Sequence, residues 1–415
     1  MNFAEDVMLA RQLDLFAPGV SGASSLVDEL RSFTFNGART AVERRDGVDF
    51  LFNEFWTARQ RQAHRLHEVS YRACFKPQLP EFFIARLTRE GDCVYDPFMG
   101  RGTTPVQAAL MGRRAFGADA NPLSKVLAKP RLAPPRLQAV EARLNEIDWA
   151  CGGEASADLL AFFHPATLEQ IRALRSYLLE RESSGRLDSA DEWIRMVAVN
   201  RLTGHSPGFF SVYTLPPNQA VSAEAQRKIN IKRNQVPPKR DAPSIILRKS
   251  RSLLSQGTTT SVYEHLILTG DAASTPEIAD GSIDLVVTSP PFLDVVQYAA
   301  DNWLRCWFIG QDAATIPIAM HRNPEDWMLF VREVFMELTR AVRIGGHVAF
   351  EVGEVRSGTI ELEKWVLRAV ADLPWAAVCV LVNVQEFTKT ANCWGVDNNS
   401  KGTNTNRVVI LQRRG

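Results

Sequence analysis

The sequence predicts an α/β protein with a mostly parallel sheet, because strands and helices alternate in two separate stretches. Residues 82–119 show a helix end, a short apolar strand ending at Tyr95, a glycine-containing loop, a helix of small residues and a strand that reaches Asp119. From residue 263 onward, short apolar runs predict five more strands, at 265–269, 283–288, 347–352, 377–383 and 407–412. Alternation of this kind is typical of parallel sheets covered by helices.

Length and composition indicate a globular protein of about two or three domains. The 415 residues are 45% hydrophobic and 23% charged, and the net charge is +1. No apolar run approaches the roughly 20 residues of a membrane helix, and the N-terminus carries acids where a signal peptide has basic residues. We therefore expect a cytoplasmic, bacterial-type protein without a membrane partner. The six cysteines are scattered without a CxxC pair, so neither a zinc site nor a disulfide framework is expected.

The chain divides into a sheet domain in two halves and an inserted region of different composition. The insertion starts with helical segments and ends in a basic stretch, where residues 227–251 contain nine Lys and Arg against one acid, Asp241. The predicted parts are an N-terminal helical extension, the first half of the sheet domain, the insertion and the second half of the sheet domain: 1–65, 66–129, 130–262 and 263–415.

The first segment with a chemical signature is DPFMGRGTT, residues 96–104. Glycines after a strand let the backbone approach a ligand and start the next helix. The segment lacks the GxGxxG pattern of dinucleotide sites and the Walker lysine of NTP sites. Asp119 stands near the end of the following strand, where a carboxylate typically binds ribose hydroxyls. A nucleoside-containing cofactor is therefore predicted, and the alternative is a tight turn with a helix cap.

The second segment is TSPPF, residues 288–292, at the end of an apolar strand. Two prolines fix φ and remove backbone donors, which leaves carbonyl oxygens as free acceptors. The Ser289 hydroxyl and the Pro290 carbonyl could then hold the two hydrogens of an amino group on an aromatic base, with Phe292 stacked on that base. The alternative is a buried strand that ends in a rigid turn, with Phe292 in the core.

Together the two segments resemble the DNA amino-methyltransferase family, which modifies cytosine N4 or adenine N6. DPFMGRGTT resembles the family's methionine-binding loop, and TSPPF resembles its catalytic tetrapeptide. FKPQLP at 75–80 is similar to the segment that encloses the methionine, and Gly270-Asp271 is similar to the stretch that contacts the cofactor adenine. The resemblance covers about residues 70–125 and 263–415. It implies a Rossmann-like methyltransferase with a mostly parallel seven-stranded sheet, S-adenosylmethionine as cofactor, and no metal.

The resemblance also implies roles for individual residues. The catalytic residues would be Ser289, Pro290, Pro291 and Phe292. The cofactor-binding residues would be Phe75, Lys76, Pro77, Asp96, Pro97, Phe98, Gly100, Gly102, Thr103, Thr104, Asp119, Asp271 and Ser289. The insertion would recognise the target, with its basic stretch on phosphates. Its nucleic-acid-binding residues would be Arg227, Lys228, Lys232, Arg233, Lys239, Arg240, Arg248 and Lys249. The alternative is a solvated loop on a helical subdomain.

The resulting functional prediction is a site-specific methyltransferase acting on cytosine N4 in double-stranded DNA. Ser289, rather than Asp or Asn at that position, favours N4 over adenine N6. Phe292 replaces the commoner Tyr, and the order of the two halves differs from the commonest arrangement among N4 enzymes. Three alternatives stay open: adenine N6 of DNA, a base amino group of RNA, and a binding module without turnover. A cognate restriction endonuclease is an optional separate partner.

Overall fold

The computed structural model describes residues 23–56, 63–71, 74–150, 156–214, 220–257, 262–293, 298–355, 360–384 and 405–415. In these parts of the chain, no helix is both long enough and apolar enough to cross a membrane.

A nine-stranded sheet forms the centre of the molecule. Its strands are β3 (Ala41–Arg45), β4 (Val48–Asn53), β5 (Cys93–Asp96), β6 (Arg114–Asp119), β7 (Leu266–Thr269), β8 (Ile283–Thr288), β9 (Val342–Val352), β12 (Trp375–Val384) and β13 (Thr405–Arg413). Two small hairpins lie outside it, formed by β1 (Thr34–Phe35) with β2 (Ala38–Arg39) and by β10 (Glu354–Val355) with β11 (Ile360–Glu361). The strands expected from residue 263 onward are all present.

The spatial order of the strands is β3-β4-β12-β13-β9-β8-β5-β6-β7. Neighbours from β9 to β7 pair in parallel, whereas β13 is antiparallel to both β12 and β9. From β5 the chain proceeds to one side through β6 and β7, and from β8 it proceeds to the other side through β9. The order therefore reverses between β5 and β8, and such a switch point opens a crevice at the carboxyl ends of the strands. The predicted Rossmann-like α/β class is confirmed.

Helices cover both faces of the sheet. They are α1 (Ala23–Ser32), α2 (Gln78–Leu87), α3 (Thr103–Leu110), α4 (Pro122–Ala128), α5 (Leu137–Glu146), α6 (Pro165–Ser183), α7 (Ser189–Val199), α8 (Ala223–Lys232), α9 (Ala242–Leu253), α10 (Tyr298–Phe308), α11 (Pro324–Ala341) and α12 (Leu362–Ala369). Successive strand residues face opposite sides, as Val94 and Tyr95 show by joining different apolar clusters. Strands buried on both faces need an almost continuous apolar sequence, which explains IDLVVT in β8.

The sheet has two strands more than the seven expected, because part of the N-terminal region joins it. A helical extension was expected over 1–65, and only α1 agrees with it. Residues 41–53 form β3 and β4 instead. Residues 1–22 lie outside the described part of the chain. β4 pairs in parallel with β12, and Phe50 and Leu51 are buried in the apolar clusters on opposite faces. The buried Asn383 side chain accepts hydrogen bonds from the backbone of Phe55 (2.8 Å) and Trp56 (3.3 Å). Tertiary pairing with a distant strand therefore decides the structure of this segment.

The insertion over 130–262 is helical in its described parts, and it packs directly on the sheet domain. Its helices α5, α6, α7 and α9 share one continuous apolar cluster with α2, α3 and one face of β5 and β8. Within the insertion, the buried Trp193 indole donates a 3.0 Å hydrogen bond to Ser250, which joins α7 to α9. The insertion is therefore anchored to the scaffold that carries the site.

Candidate active site

A cavity of about 1480 Å³ opens at the carboxyl ends of the central strands. Its volume exceeds the range of about 300–1,000 Å³ that is usual for a single small-molecule site, so it has room for two molecules. The predicted residues that line it are Phe75, Pro97, Phe98, Gly100, Thr103, Asp119, Asp271, Ser289, Pro290, Pro291 and Phe292. The structure thus brings the glycine loop and the TSPPF segment to one cavity, although they are far apart in sequence.

Five predicted cofactor residues do not line the cavity: Lys76, Pro77, Asp96, Gly102 and Thr104. Four of them, Pro77, Thr104, Gly102 and Asp96, have evident supporting positions. Pro77 directly precedes α2, and the Thr104 hydroxyl donates a 2.9 Å hydrogen bond to the Val287 carbonyl in β8. Gly102 directly precedes α3 in a left-handed conformation, with φ of 76°. A loop of this kind needs residues that shape it as well as residues that face the ligand.

The shape of the glycine loop depends on close packing at Gly102. A Cβ on this residue would lie 2.6 Å from the Cβ of Ala128 in α4. Only glycine avoids that overlap, and only glycine adopts the positive φ without strain. Gly102 therefore lets α3 begin directly behind the loop, where its first residue, Thr103, lines the cavity.

Asp119 joins the loops that follow β5 and β6. One carboxylate oxygen accepts a 2.8 Å hydrogen bond from the backbone of Gly100, and the other accepts a 2.8 Å hydrogen bond from the backbone of Asn121. Burial raises the pKa of the Asp119 carboxyl, while these donors oppose the shift. The expected ribose-binding acid is thus at the cavity, and it also holds the glycine loop in place.

Asp96 and Thr288 connect the ends of β5 and β8. The Thr288 hydroxyl donates a 2.6 Å hydrogen bond to Asp96 Oδ1, which also accepts one from the backbone of Phe98 at 3.0 Å. Both Asp96 and Thr288 are buried, and this burial raises the pKa of Asp96 to about 7. Asp96 thus supports the two segments from beneath the cavity.

Ser289 has a partner that the sequence did not indicate, the buried carboxyl of Glu351 in β9. The Ser289 hydroxyl hydrogen-bonds this carboxyl, and Asn406 Nδ2 donates to Glu351 Oε1 at 2.8 Å. Burial raises the pKa of Glu351, and both hydrogen bonds oppose the shift. In the sequence, Glu351 could have been recognised as unusual because it is an acid within the apolar run HVAFEV.

The proline turn after β8 is also held by α11, which packs on one face of the sheet. The indole nitrogen of the buried Trp327 in α11 donates a 2.8 Å hydrogen bond to the Pro291 carbonyl. Phe292 lines the cavity and also packs against the apolar cluster of that face. The Phe292 ring therefore faces the cavity, as a ring that stacks on a base would, and it also contacts the core.

Further cavity residues were not predicted. Phe330 in α11 lies between Phe98 and His321, with ring centroids 5.6 Å and 5.1 Å away, and all three side chains line the cavity.

Arg101, in the glycine loop itself, donates to the carbonyls of Val69 (2.9 Å) and Phe75 (3.3 Å). Arg101 therefore attaches the segment before α2 to the loop.

The structure divides the predicted basic stretch into paired and unpaired side chains. Arg227 pairs with Asp158 at 2.6 Å, Lys228 with Glu224 at 2.6 Å, and Lys249 with Glu68 at 2.7 Å. The Arg233 guanidinium lies 3.8 Å from the centre of the Tyr213 ring. Within the described part of the chain, Lys232, Lys239, Arg240 and Arg248 form no ion pair.

Comparison with known proteins gives matches over parts of the chain. Residues 35–129 match the family model described as DNA methylase, N6_N4_Mtase. The chain is 37% identical to type II methyltransferase M.MjaII of Methanocaldococcus jannaschii over 89 residues, which are 21% of this chain and 16% of that protein. It is 32% identical to M.MvaI of Kocuria varians over 90 residues, 21% of this chain and 19% of that protein.

A longer match is to M.BsoBI of Geobacillus stearothermophilus, 20% identical over 283 residues, 60% of this chain and 53% of that protein. The chain thus spans about half or less of the length of these relatives. Among solved structures, geranyl diphosphate C-methyltransferase from Streptomyces coelicolor is similar over 80% of this chain and 74% of its own, with a TM-score of 0.33 and 10% identity. The matching family model and the type II relatives thus support a resemblance of this chain to the DNA amino-methyltransferase family over the parts that they cover.

Proposed function

We propose that the protein is a site-specific DNA methyltransferase that methylates the N4 amino group of cytosine. The observation that carries this proposal is the single cavity that the glycine loop and Ser289–Phe292 both line. A transfer between two bound molecules requires that their sites meet, because positioning supplies much of the rate acceleration.

The glycine-loop side of the cavity fits S-adenosylmethionine. Gly100 has φ of 49°, and a Cβ there would lie 3.4 Å from the Tyr71 ring and 3.6 Å from Cys74 Sγ, so a side chain would fill the space beside the loop. Phe75, Asp119 and Asp271 line the same part and would hold the cofactor. When bound, the cofactor supplies a methyl group on a positively charged sulfur.

The Ser289 side of the cavity suits an amino group. A hydroxyl has one proton to donate, and the Ser289 hydroxyl is hydrogen-bonded to the Glu351 carboxyl. With Glu351 ionised, that proton goes to the carboxylate, and the lone pairs of Ser289 Oγ stay free to accept an N–H. The amino group of cytosine offers two N–H donors, and one of them would bind here.

The same pair provides a path for the proton that the amino group must lose. Ser289 Oγ takes a proton from the methylated amino nitrogen, which is positively charged, and passes its own to the Glu351 carboxylate, so the nitrogen and the carboxylate both become neutral. The raised pKa of Glu351 favours this acceptance at neutral pH. The cytosine would reach the cavity by leaving the base stack. Double-stranded DNA is thus the proposed partner, with a cognate restriction endonuclease as an optional second protein.

The test is incubation of the protein with labelled S-adenosylmethionine and separate DNA and RNA pools, followed by digestion to nucleosides and mass analysis. N4-methylcytosine from DNA is the expected product. N6-methyladenine would overturn the assignment of the base, label in RNA alone would overturn the substrate, and cofactor binding without transfer would indicate a binding module.

The paired variants are Ser289→Ala and Ser282→Ala. Ser282 immediately precedes β8 and Ser289 immediately follows it, so the same change is made at opposite ends of one strand. We expect Ser289→Ala to lower kcat by about 100-fold or more, with cofactor affinity retained, because it removes the proposed proton acceptor. Ser282→Ala should methylate normally. Normal turnover by Ser289→Ala would exclude the proposed role of the hydroxyl.

A further inference from the structure

Two large apolar side chains project into solvent within the basic stretch of the insertion. Ile231, near the end of α8, is 81% exposed, and Val236, in the following turn, is 82% exposed. Isolated exposed apolar residues are ordinary on protein surfaces. This pair differs because the segment that carries it, residues 231–239, is held by a specific network of side chains and is flanked by lysines. We call this segment the 231–239 turn.

Three amide side chains fix the turn to the body of the insertion. Gln226, which is fully buried, and Gln235 both donate to Asn230 Oδ1 at 2.8 Å. The same two side chains also donate to the Tyr213 carbonyl, at 3.1 and 3.0 Å. Asn230 in turn donates to the Ala161 carbonyl at 2.8 Å. The residues that directly precede Ile231 and Val236, Asn230 and Gln235, are therefore held by side-chain hydrogen bonds.

The backbone of the turn is also constrained. Asn234 adopts a left-handed conformation with φ of 46°, a conformation that asparagine tolerates better than most residues. The Arg233 guanidinium stacks on the Tyr213 ring, and Pro237-Pro238 fix φ directly after Val236. Val236 is thus presented at the surface by a rigid turn.

Positive charges flank the two apolar side chains. Lys232 follows Ile231, and Lys239 follows the two prolines; both are exposed, and neither forms an ion pair with any residue that the structure describes. The acid that follows, Asp241, caps α9 by accepting a 3.1 Å hydrogen bond from the backbone of Ser244. The charge of Lys239 also lowers the pKa of the Asp241 carboxyl. The surface therefore combines exposed cations with apolar tips, a combination that fits a polyanion with apolar faces between its charges.

The segment that precedes α8, the helix that ends in the turn, is attached to a helix of the cavity wall. The Trp303 indole in α10 donates hydrogen bonds to the carbonyls of Ala220 and Val221, both at 3.2 Å, just before α8 begins. The same helix contributes Ala299 and Ala300 to the cavity wall.

We propose that the 231–239 turn is a wedge that enters the DNA duplex. Val236 and Ile231 contact the base stack, while Lys232 and Lys239 bind the flanking phosphates. Apolar side chains between base steps lower the cost of unstacking, and this supports the movement of the target base into the cavity. The inference rests on the proposed function, since it takes DNA as the substrate, and it assigns a separate role to residues outside the cavity.

The test measures binding of a fluorescein-labelled random-sequence DNA duplex to the full chain over a series of NaCl concentrations. We expect Ile231→Ser/Val236→Ser to weaken binding by about tenfold at each salt concentration with an unchanged salt slope, since apolar contacts release no counterions. We expect Lys232→Gln/Lys239→Gln to reduce the slope by about two, since each phosphate contact contributes about 0.9.

The matched control is Val262→Ser. Val262 is 86% exposed, and it precedes the amino end of β7, at the sheet edge opposite the cavity. This variant should bind the duplex as the wild type does. Thermal melting and binding of S-adenosylmethionine would verify that each variant is folded.

The outcomes separate the wedge from the proposed function. If the wild type methylates DNA and Ile231→Ser/Val236→Ser binds the duplex within about twofold of it, the wedge is refuted and the function stands. If the wild type neither binds the duplex nor methylates DNA, both proposals fail. A preference of the turn for an RNA duplex, lost in the same double variant, would also overturn DNA as its partner.

Discussion

The Thr288 hydroxyl donates a 2.6 Å hydrogen bond to the Asp96 carboxyl across 192 positions of the chain. Asp96 ends β5 and opens the glycine loop, whereas Thr288 ends β8 and precedes Ser289. The bond therefore joins the starting points of the two segments that line the cavity. Since both side chains are buried, the bond is shielded from solvent.

Thr288→Val should destabilise the protein. The substitution keeps the shape of the side chain and leaves the buried Asp96 without its hydroxyl donor, at a cost of about 1–3 kcal/mol. Thermal unfolding would measure the loss. Thr315→Val, at an exposed threonine, should change stability by less than about 0.5 kcal/mol. Equal effects of the two substitutions would contradict the importance of the bond.

Asp96 should make the stability depend on pH in a direction unusual for an acid. Its pKa is raised to about 7 in the folded protein, above the ordinary value of 3.8. Between these values the folded state binds a proton that the unfolded chain releases, so this contribution to stability falls as pH rises towards 7. The stability of Asp96→Asn, relative to the wild type, should therefore increase from pH 5 to pH 8. Urea unfolding at both pH values measures it, and a constant difference would exclude the raised pKa.

Glu351→Gln should lower kcat by about 100-fold and leave cofactor affinity nearly unchanged, because it removes the proton acceptor behind Ser289. The wild type should lose kcat as pH falls through the raised pKa of Glu351, since the carboxylate is the active form. The variant should lack that dependence. An exposed acid of the same sheet provides the control, Glu43→Gln. If kcat of Glu351→Gln falls at low pH as kcat of the wild type does, Glu351 is not the proton acceptor.

Asp119→Asn should weaken binding of S-adenosylmethionine about tenfold, which corresponds to the loss of roughly one hydrogen bond. One oxygen that now accepts from the Gly100 or Asn121 backbone becomes an amide nitrogen, and the glycine loop loosens. Asp148 accepts from the backbone of Ala150 in a similar way but is exposed, and Asp148→Asn should leave cofactor binding unchanged. Calorimetric titration would compare the two variants.

Gly102→Ala and Gly185→Ala should differ in cost although both glycines have positive φ, 76° and 67°. A Cβ at Gly185 meets nothing within 4 Å, so its substitution costs only the conformational strain of about 1–2 kcal/mol. At Gly102 the overlap with Ala128 adds about 1–3 kcal/mol. Melting temperatures would rank the two variants. Similar values would mean that α4 can move away from the new Cβ with no loss of stability.

Local patterns were sufficient to predict β5 to β9, β12 and β13, and to select the glycine loop, Asp119 and Ser289, which all lie at the cavity. An apolar run or a glycine after a strand is a property of neighbouring residues, and it can be recognised in one short segment. The fold class follows from the same patterns, since alternation of strands and helices leaves few topologies.

Features that depend on distant contacts could not be predicted in this way. The pairing of β4 with β12 joins residues that are about 330 positions apart, and β3 is a polar strand, AVERR, without a core-facing pattern. Glu351 gains its role only because β9 lies beside β8. The sequence pattern placed eight basic residues of the insertion together on nucleic acid, yet Arg227, Lys228 and Lys249 are paired with acids, two of which lie far away in sequence.

The position of the insertion has a consequence for how such a protein can change. β6 and β7 pair in parallel, with Phe116 opposite Leu266, so everything between them amounts to one crossover connection between adjacent strands. A connection of this kind can vary while the register on both sides is kept, provided that it preserves the apolar cluster that α5, α6, α7 and α9 share with the sheet domain. If the insertion selects the DNA sequence, exchange of the insertion between relatives would change the sequence that is recognised. The site of methyl transfer would stay the same.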